Sequence, residues 1–440
     1  MGFKFTLATV IAALPLFVSV APQPAKQGGK AISLFERSSL VNADNSVNVE
    51  ALNLHVASTT AKILRGFDNF ERHTGNLHPS AVKGHRKRES GGTPLGYCAS
   101  IWYGLISVGI PPMPYDVMFD TGSRHVSVIR CMYLTELDHS DLILPGPNCD
   151  QSCDGHDFYD PKESETSIDL HDTFEITFTA GNRAFGQLYI DTVSVAGLVA
   201  TEQIIGAASY YSSALQSYKF PADGLIGMAF QSVSAYDASP VFQTLISDGE
   251  IDEPVFAFSF AAPGPELYLG GTNPAMYSGD FTYVGITTPG FWQVDIDGIV
   301  GNGETMWTSV SATIDTGTVL IYGHPEEVGI LYDAIGGTDA SETLGKGYYT
   351  FPCNDIPSVS FIIGGTSFPI SAGTLSLGSI VGGSDECIGS IIGRDFGEST
   401  WLIGTAFLRN VYTAFDMGAM RVGFAAPAPA PAPSPSVAAW

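Results

Sequence analysis

Val117-Met118-Phe119-Asp120-Thr121-Gly122-Ser123 is answered later in the chain by Ala312-Thr313-Ile314-Asp315-Thr316-Gly317-Thr318. Each copy is a short apolar, strand-forming run that ends in a carboxylate, a hydroxyl, a glycine and a second hydroxyl. Strand-to-turn junctions present a side chain on a rigid base, and glycine lets the backbone bend sharply behind the acid. A single Asp-Thr-Gly reads as an ordinary turn, because all three residue types are common in loops. Two copies, each flanked by apolar residues and followed by Ser or Thr, point instead to two acids that face each other.

The doubling extends beyond the acids. Ala222-Asp223-Gly224-Leu225-Ile226-Gly227 follows the first and Trp401-Leu402-Ile403-Gly404 the second, so apolar-apolar-Gly trails the acid in both halves. The halves read as divergent repeats with different insertions. Residues 97–108 read as a strand leading through Pro111-Pro112-Met113-Pro114 into the first acid-bearing strand. Residues 174–178 and 186–193 read as two arms of a hairpin with 179–185 at its tip. With 49 Gly, 27 Pro and many β-branched and aromatic residues, the chain is expected to be mainly β. Its 440 residues, 45% of them hydrophobic, suffice for one large or two medium cores.

Charge divides the chain sharply. Through Arg88 there are 11 Lys and Arg against 5 Asp and Glu; the remaining 9 and 40 lie beyond. So acidic a body repels nucleic acid and anionic membranes, and neither is expected as a partner. The reversal falls at His85-Arg86-Lys87-Arg88, a dibasic run ahead of Glu89-Ser90-Gly91-Gly92-Thr93, as at a kexin-type processing site. Ahead of it, Met1 to about Ala21 has a lone Lys4, an apolar run from Phe5 to Val20 and small residues near a plausible cut, the pattern of a secretory signal peptide. Residues 22–88 then read as a basic propeptide that can sit on the acidic body by charge attraction. Protonating the carboxylates would loosen it. The tail, 426–440, is rich in Pro and Ala and is expected to be extended, with no core.

Six cysteines in a secreted chain suggest disulfides. Cys353 pairs with Cys387 as the only two cysteines of the second half. Cys149 with Cys153 would close a tight loop, leaving Cys98 with Cys131. Zinc is a poor alternative, because the spacing is wrong and no paired His lies nearby, so no metal is expected. No Asn-X-Ser/Thr acceptor occurs.

In order along residues 96–425, these stretches resemble the pepsin-like aspartic peptidases, in the style of secreted fungal members. The resemblance rests on Phe119–Ser123, Ala222–Gly227, Leu267-Tyr268-Leu269-Gly270-Gly271-Thr272, Phe291-Trp292-Gln293-Val294, Ile314–Thr318 and Leu402–Arg409. It implies an all-β, bilobal acid-protease fold with a cleft between the lobes, here an N-terminal lobe at 89–272 and a C-terminal lobe at 273–425. It implies Asp120 and Asp315 as a catalytic dyad that activates water without a cofactor. Thr121 and Thr316 would brace the two loops, Gly122 and Gly317 bring them together, and Ser123 and Thr318 hydrogen-bond the outer carboxylate oxygens. Gly227 and Gly404 would be crossings threaded through each acid loop.

A hairpin flap is also implied, with Phe178, Thr179 and Gly181 at the substrate. Phe178 stands where the family usually has tyrosine, and Ser127 where it usually has tryptophan. Ala222 lacks a ring often found beside the first specificity pocket, and Thr405 replaces a common aspartate. The reading is a secreted, extracellular, monomeric endopeptidase that cuts polypeptides between bulky apolar residues at acidic pH and is inhibited by its own propeptide. A non-catalytic binding or inhibitor protein on the same scaffold is the alternative, with the altered flap as its support.

Overall fold

The computed structural model describes residues 29–37, 40, 42, 44, 46–49, 52–53, 56, 74–76, 101–122, 141–177, 183–212, 215–217, 220–234, 236–261, 264–395 and 400–429. Ser123, Ser127, Phe178, Thr179, Gly181, Cys98, Cys131, the processing run and most of the tail lie outside these residues.

The fold is mainly β. Two short strands come first, β1 (Lys30–Ser33) and β2 (Phe35–Arg37). The first half then supplies β3 (Ile101–Val108), β4 (Met113–Asp120), β5 (Leu142–Pro145), β6 (Ile168–Thr177), β7 (Arg183–Val195), β8 (Leu198–Tyr211) and β9 (Gly224–Gly227). With β2 they form an eight-stranded sheet in the order β2-β3-β4-β9-β5-β8-β7-β6. The hairpin expected near residue 180 is β6 and β7, antiparallel from Ile168↔Ile190 to Thr177↔Arg183. Its arms run further from the tip than the sequence suggested.

A six-stranded sheet joins the halves. β10 (Val255–Ser259) and β11 (Glu266–Leu269) lie beside the strands Tyr412–Asp416 and Arg421–Pro427, with β12 (Tyr277–Gly285) at one edge and β1 at the other. Behind it Trp292, fully buried, packs on Phe230, Phe256 and Phe415 at ring separations of 4.9, 5.4 and 5.0 Å, and its indole N–H donates to Met228 O. One tryptophan from the second half thereby anchors aromatic residues of both, and burial of such rings dominates core energetics.

The second half repeats the first. β13 (Gln293–Gly301) pairs with β14 (Glu304–Ile314), and β14 runs parallel to Thr400–Ile403, as β4 runs parallel to β9. A seven-stranded sheet results, extended by strands at Val359–Ile363, Thr366–Ile370, Ile321–Gly323 and Ile391–Gly393. Disulfides join Cys149 to Cys153 and Cys353 to Cys387.

Strand alternation aims the acids. Along β4, Val117 and Phe119 enter the main core while Met118 enters a second apolar cluster on the opposite face. A period of two puts Asp120 on the face of Met118. Ala312 and Ile314 likewise enter the main core, which leaves Asp315 on the other face. The second cluster draws on both halves, with Leu225 and Tyr211 from one and Tyr322, Tyr348 and Leu402 from the other. Leu40, Val47, Leu52 and Val56 of the N-terminal segment are buried in it.

Candidate active site

Asp120 and Asp315 lie at the ends of β4 and β14, both fully buried. Each acid loop is threaded by the strand that follows it in its own half. The amide of Met228 donates to Asp120 O (2.8 Å), and that of Asp315 to Ile403 O (3.0 Å). Gly404 is required by the closeness of this crossing: a methyl there would come within 2.4 Å of both Thr318 O and Leu320 O. Such distances exclude any side chain.

The two loops are tied reciprocally. The Thr121 amide donates to Thr316 Oγ1 (2.9 Å) and the Thr316 amide to Thr121 Oγ1 (3.0 Å). Each hydroxyl then donates to the opposite strand, Thr121 to Ile314 O and Thr316 to Phe119 O, at 3.2 and 3.1 Å. These four bonds are buried and leave the grip little freedom to shear. Thr316→Ala strands the Thr121 amide and the Phe119 carbonyl in the interior, at about 1–3 kcal/mol each. The expected loss is therefore about 2–6 kcal/mol, read as a lower urea midpoint, with Thr316→Ser restoring most of it.

Within this frame the carboxyls are held symmetrically. The Gly122 amide donates to Asp120 Oδ1 and the Gly317 amide to Asp315 Oδ1, both at 2.9 Å. Thr318 Oγ1 donates to Asp315 Oδ2 at 2.5 Å. A methyl on Gly122 would come within 2.1 Å of Asp315 Cγ, and one on Gly317 within 2.4 Å of Asp120 Cγ. Each glycine therefore faces the carboxyl of the other loop. Thr405, buried, donates its amide to Thr318 O at 2.7 Å, behind the second acid loop.

Ile143, Ala184, Tyr211, Leu215, Phe220 and Leu225 line a small apolar cavity of about 10 Å³, room for about one water. Leu225 stands opposite Met118 in the β4–β9 register, two residues before Asp120. Ala222 is buried and offers no ring, but Phe220, two residues earlier, brings one to the cavity wall. Sequence reasoning singled out neither Phe220, Ile143 nor Leu215. Their only shared signal is apolarity, and they come from separate segments. Among the described residues no group of three or more His, Cys, Asp or Glu could hold a metal ion.

The eukaryotic aspartyl protease family model matches residues 101–427. An aspartic protease of Phaffia rhodozyma is 37% identical over 349 residues, covering 78% of this chain and 80% of that protein. Cathepsin D of Chionodraco hamatus is 33% identical, covering 75% and 82%, and pepsin A of Sus scrofa is 30% identical, covering 76% and 84%. Over nearly the whole described body, these matches coincide with the two threaded acid loops and their threonine grip: the chain belongs to the eukaryotic aspartyl protease family and is an aspartic-type endopeptidase.

Proposed function

We propose that this endopeptidase is secreted, works at acidic pH through Asp120 and Asp315, cuts polypeptides between bulky apolar residues, and is held inactive by residues 22–88 until they are removed. The observation that carries the reading is the reciprocal seating of the two carboxyls, each against the glycine of the other's loop. Carboxyls held this close cannot both ionise cheaply and share one proton; aspartic proteases are a type case of this effect. The carboxylate takes a proton from a water lying between the pair as that water attacks the peptide carbonyl carbon. The protonated partner gives its proton to the carbonyl oxygen. The resulting diol collapses as its nitrogen is protonated, releasing an amine and a carboxylic acid.

The hydroxyl of Thr318 and the amide of Gly317 favour negative charge on Asp315. By the resemblance Ser123 does the same for Asp120, and Phe178, Thr179 and Gly181 close over the substrate. Met118, Phe220 and Leu225, apolar and clustered on the face of the sheet that carries Asp120, support a preference for apolar residues beside the cut bond. Lobes at 89–272 and 273–425 agree with the repeat of β4 and β9 by β14 and Thr400–Ile403. Digestion of a denatured protein over a range of pH, with and without a statine-type transition-state mimic, tests this reading. It requires inhibitor-sensitive cleavage in acid, and an absence of such cleavage at every acidic pH contradicts it.

Inhibition by the N-terminal segment is supported by its seat. β1 adds an antiparallel edge to β11, from Lys30↔Leu269 to Ser33↔Glu266, and Leu40, Val47, Leu52 and Val56 share the cleft-face cluster with Met118 and Leu225. Asp44 Oδ1 accepts from the amide and hydroxyl of Ser46, and the hydroxyl first, then the amide, hold this carboxyl below the usual range. A depressed carboxyl stabilises its turn above its unfolded value, and that contribution is lost as pH falls through the folded value. Ser46 itself bridges to Ser379 of the second half. Purified precursor is therefore expected to mature faster in acid than at neutral pH, measured by gel and N-terminal sequencing, and processing in the secreting cell is expected to fail when Lys87 and Arg88 are replaced. Equal rates at both pH values contradict acid release.

A further inference from the structure

Arg394 follows the strand Ile391–Gly393, which runs parallel to Ile321–Gly323, the strand that leads out of the second acid loop. Its amide donates to Gly323 O at 2.8 Å. Nη1 of its guanidinium donates to the carbonyls of Lys346 and Gly393, and the group lies over the Tyr348 ring, 5.4 Å from the centroid. The side chain is thus held from behind and beneath. The N–H groups of Nε and Nη2 remain, and these form the edge that grips a carboxylate at two points.

That edge is unspent. Beyond Arg88 the chain has 9 Lys and Arg against 40 Asp and Glu, so nearly every cation has carboxylates to choose from. Yet among the described residues Arg394 makes no ion pair, neither with Asp339, Glu342 and Asp395 in the segments packed around it nor with any other acid. Lys346 and His324 are the other basic groups of these segments.

A second polar group beside it is also unspent. The Tyr348 hydroxyl is fully buried and has no hydrogen-bond partner. Burial pushes it up and the charge of Arg394 offsets part of that rise, so the hydroxyl stays a neutral donor within reach of the guanidinium's field. Leaving such a donor unpaired is costly, and a ligand that supplies an acceptor removes the cost.

Polypeptide already covers this place. Leu52 and Val56 of the N-terminal segment are buried in the apolar cluster that holds Leu344, Tyr348 and Ile392, and Asn53 Oδ1 lies 3.4 Å from where a methyl on Gly345 would stand. Met118 and Tyr322, next to the two acid loops, belong to the same cluster. The segment fills the apolar floor but brings Arg394 no carboxylate and the Tyr348 hydroxyl no acceptor.

We propose that Arg394 and Tyr348 determine specificity by recognising an acidic side chain of the polypeptide substrate: Nε and Nη2 of Arg394 take the carboxylate, and the Tyr348 hydroxyl, uncovered when the N-terminal segment leaves, donates to it. This rests on the reading of the chain as an acid endopeptidase whose substrate lies where residues 22–88 lay. The preference is confined to one substrate position, because the acidic body opposes carboxylates elsewhere along the peptide.

The test uses the mature enzyme and peptides that share one cleaved bond and carry Glu or Gln in turn at each position around it. At one position Glu is expected to be favoured about fivefold in kcat/KM, through KM, with kcat within about twofold. The ratio should rise with pH through the range around about 4.3 in which the peptide's glutamate ionises, since only its charged form pairs with the guanidinium. Arg394→Gln is expected to bring that ratio to about one, and Tyr348→Phe to lower it by about twofold. Arg394→Glu should reverse the choice, favouring Lys over Glu at the same position, which general damage to the fold does not produce. No position that favours Glu, a preference that does not vary with pH, or one that survives Arg394→Gln overturns the proposal. Tyr348→Phe removes a hydroxyl that bonds to nothing here, so it keeps the test in force if the Arg394 variants do not fold: an unchanged ratio overturns the proposal. A folded enzyme that cleaves no peptide at any acidic pH contradicts the endopeptidase reading instead, and the ratio of dissociation constants for labelled Glu and Gln peptides on that protein then judges the Arg394 site by the same criteria.

Discussion

Replacing Asp315 by Asn is expected to lower kcat/KM by about 10⁴-fold, the upper range for loss of a positioned acid or base. Asn keeps the shape of the side chain and an oxygen that can accept the Gly317 amide, so the loop retains one of its two contacts. The other contact survives with its direction reversed, since the Thr318 hydroxyl can accept from the new amide as readily as it donates to Asp315 Oδ2. The fold should therefore persist, with thermal unfolding within a few degrees of the parent, while the pair loses the group that can carry or release a proton. The measurement is kcat/KM at the acid optimum alongside thermal unfolding. A folded variant that keeps more than about a tenth of the activity removes Asp315 from the chemistry.

Gly122→Ala is expected to lower kcat by about 10²-fold or more with little effect on KM. The new methyl would lie 2.1 Å from Asp315 Cγ, where carbon atoms at rest stay about 3.5–4.0 Å apart. The carboxyl must move by more than about 1 Å, and a shift of that size at a reacting group costs about 10²-fold. Gly317→Ala makes the mirror-image collision with Asp120 and should behave alike. Gly285, at the end of β12, has open space where a methyl would sit, so Gly285→Ala serves as the control and should leave kcat unchanged. Steady-state kinetics of the three variants decide the matter. Activity within about threefold of the parent for Gly122→Ala denies that the carboxyls are seated against the opposite glycines.

How much of this was legible beforehand follows from what a sequence pattern encodes. Alternation along Val117–Asp120 and Ala312–Asp315 was visible as apolar runs, and the structure resolves them into core-facing and cleft-facing residues. The doubled motif suggested that two acids face each other. It could not reveal the reciprocal bonds between Thr121 and Thr316, because those partners are 195 residues apart and neither carries a local sign of the other. The cavity was less legible still: its wall is drawn from β5, β7, β8, β9 and the segment between the last two, and no period in the sequence links them. Arg394 stood unremarked for a similar reason, since the Lys346 carbonyl and the Tyr348 ring are brought to it only by the path of the chain. Close approach was better encoded. Gly224 follows Asp223 where a methyl would come within 2.0 Å of Ile143 O, and glycine is what the motif provides there.

The basic N-terminal segment shows the reverse. Its charge contrast with the body was plain in the composition, yet among the described residues it is also seated by the backbone ladder of β1 on β11 and by the buried side chains of Leu40, Val47, Leu52 and Val56. Long-range attraction guides such a segment to an acidic body, but burial of side chains fixes where it rests. Acid weakens the first effect and leaves the second, so on the proposed reading release also depends on cutting the chain.

The central claim, a single pair of carboxyls working in acid, is tested most directly by kcat/KM for one peptide from strongly acidic to neutral pH, measured on the mature enzyme and on Asp315→Asn. The account predicts a bell that falls toward neutrality as both acids ionise, with the whole profile lost in the variant. Activity that rises toward neutral pH, or a profile that survives in a folded Asp315→Asn protein, would contradict it.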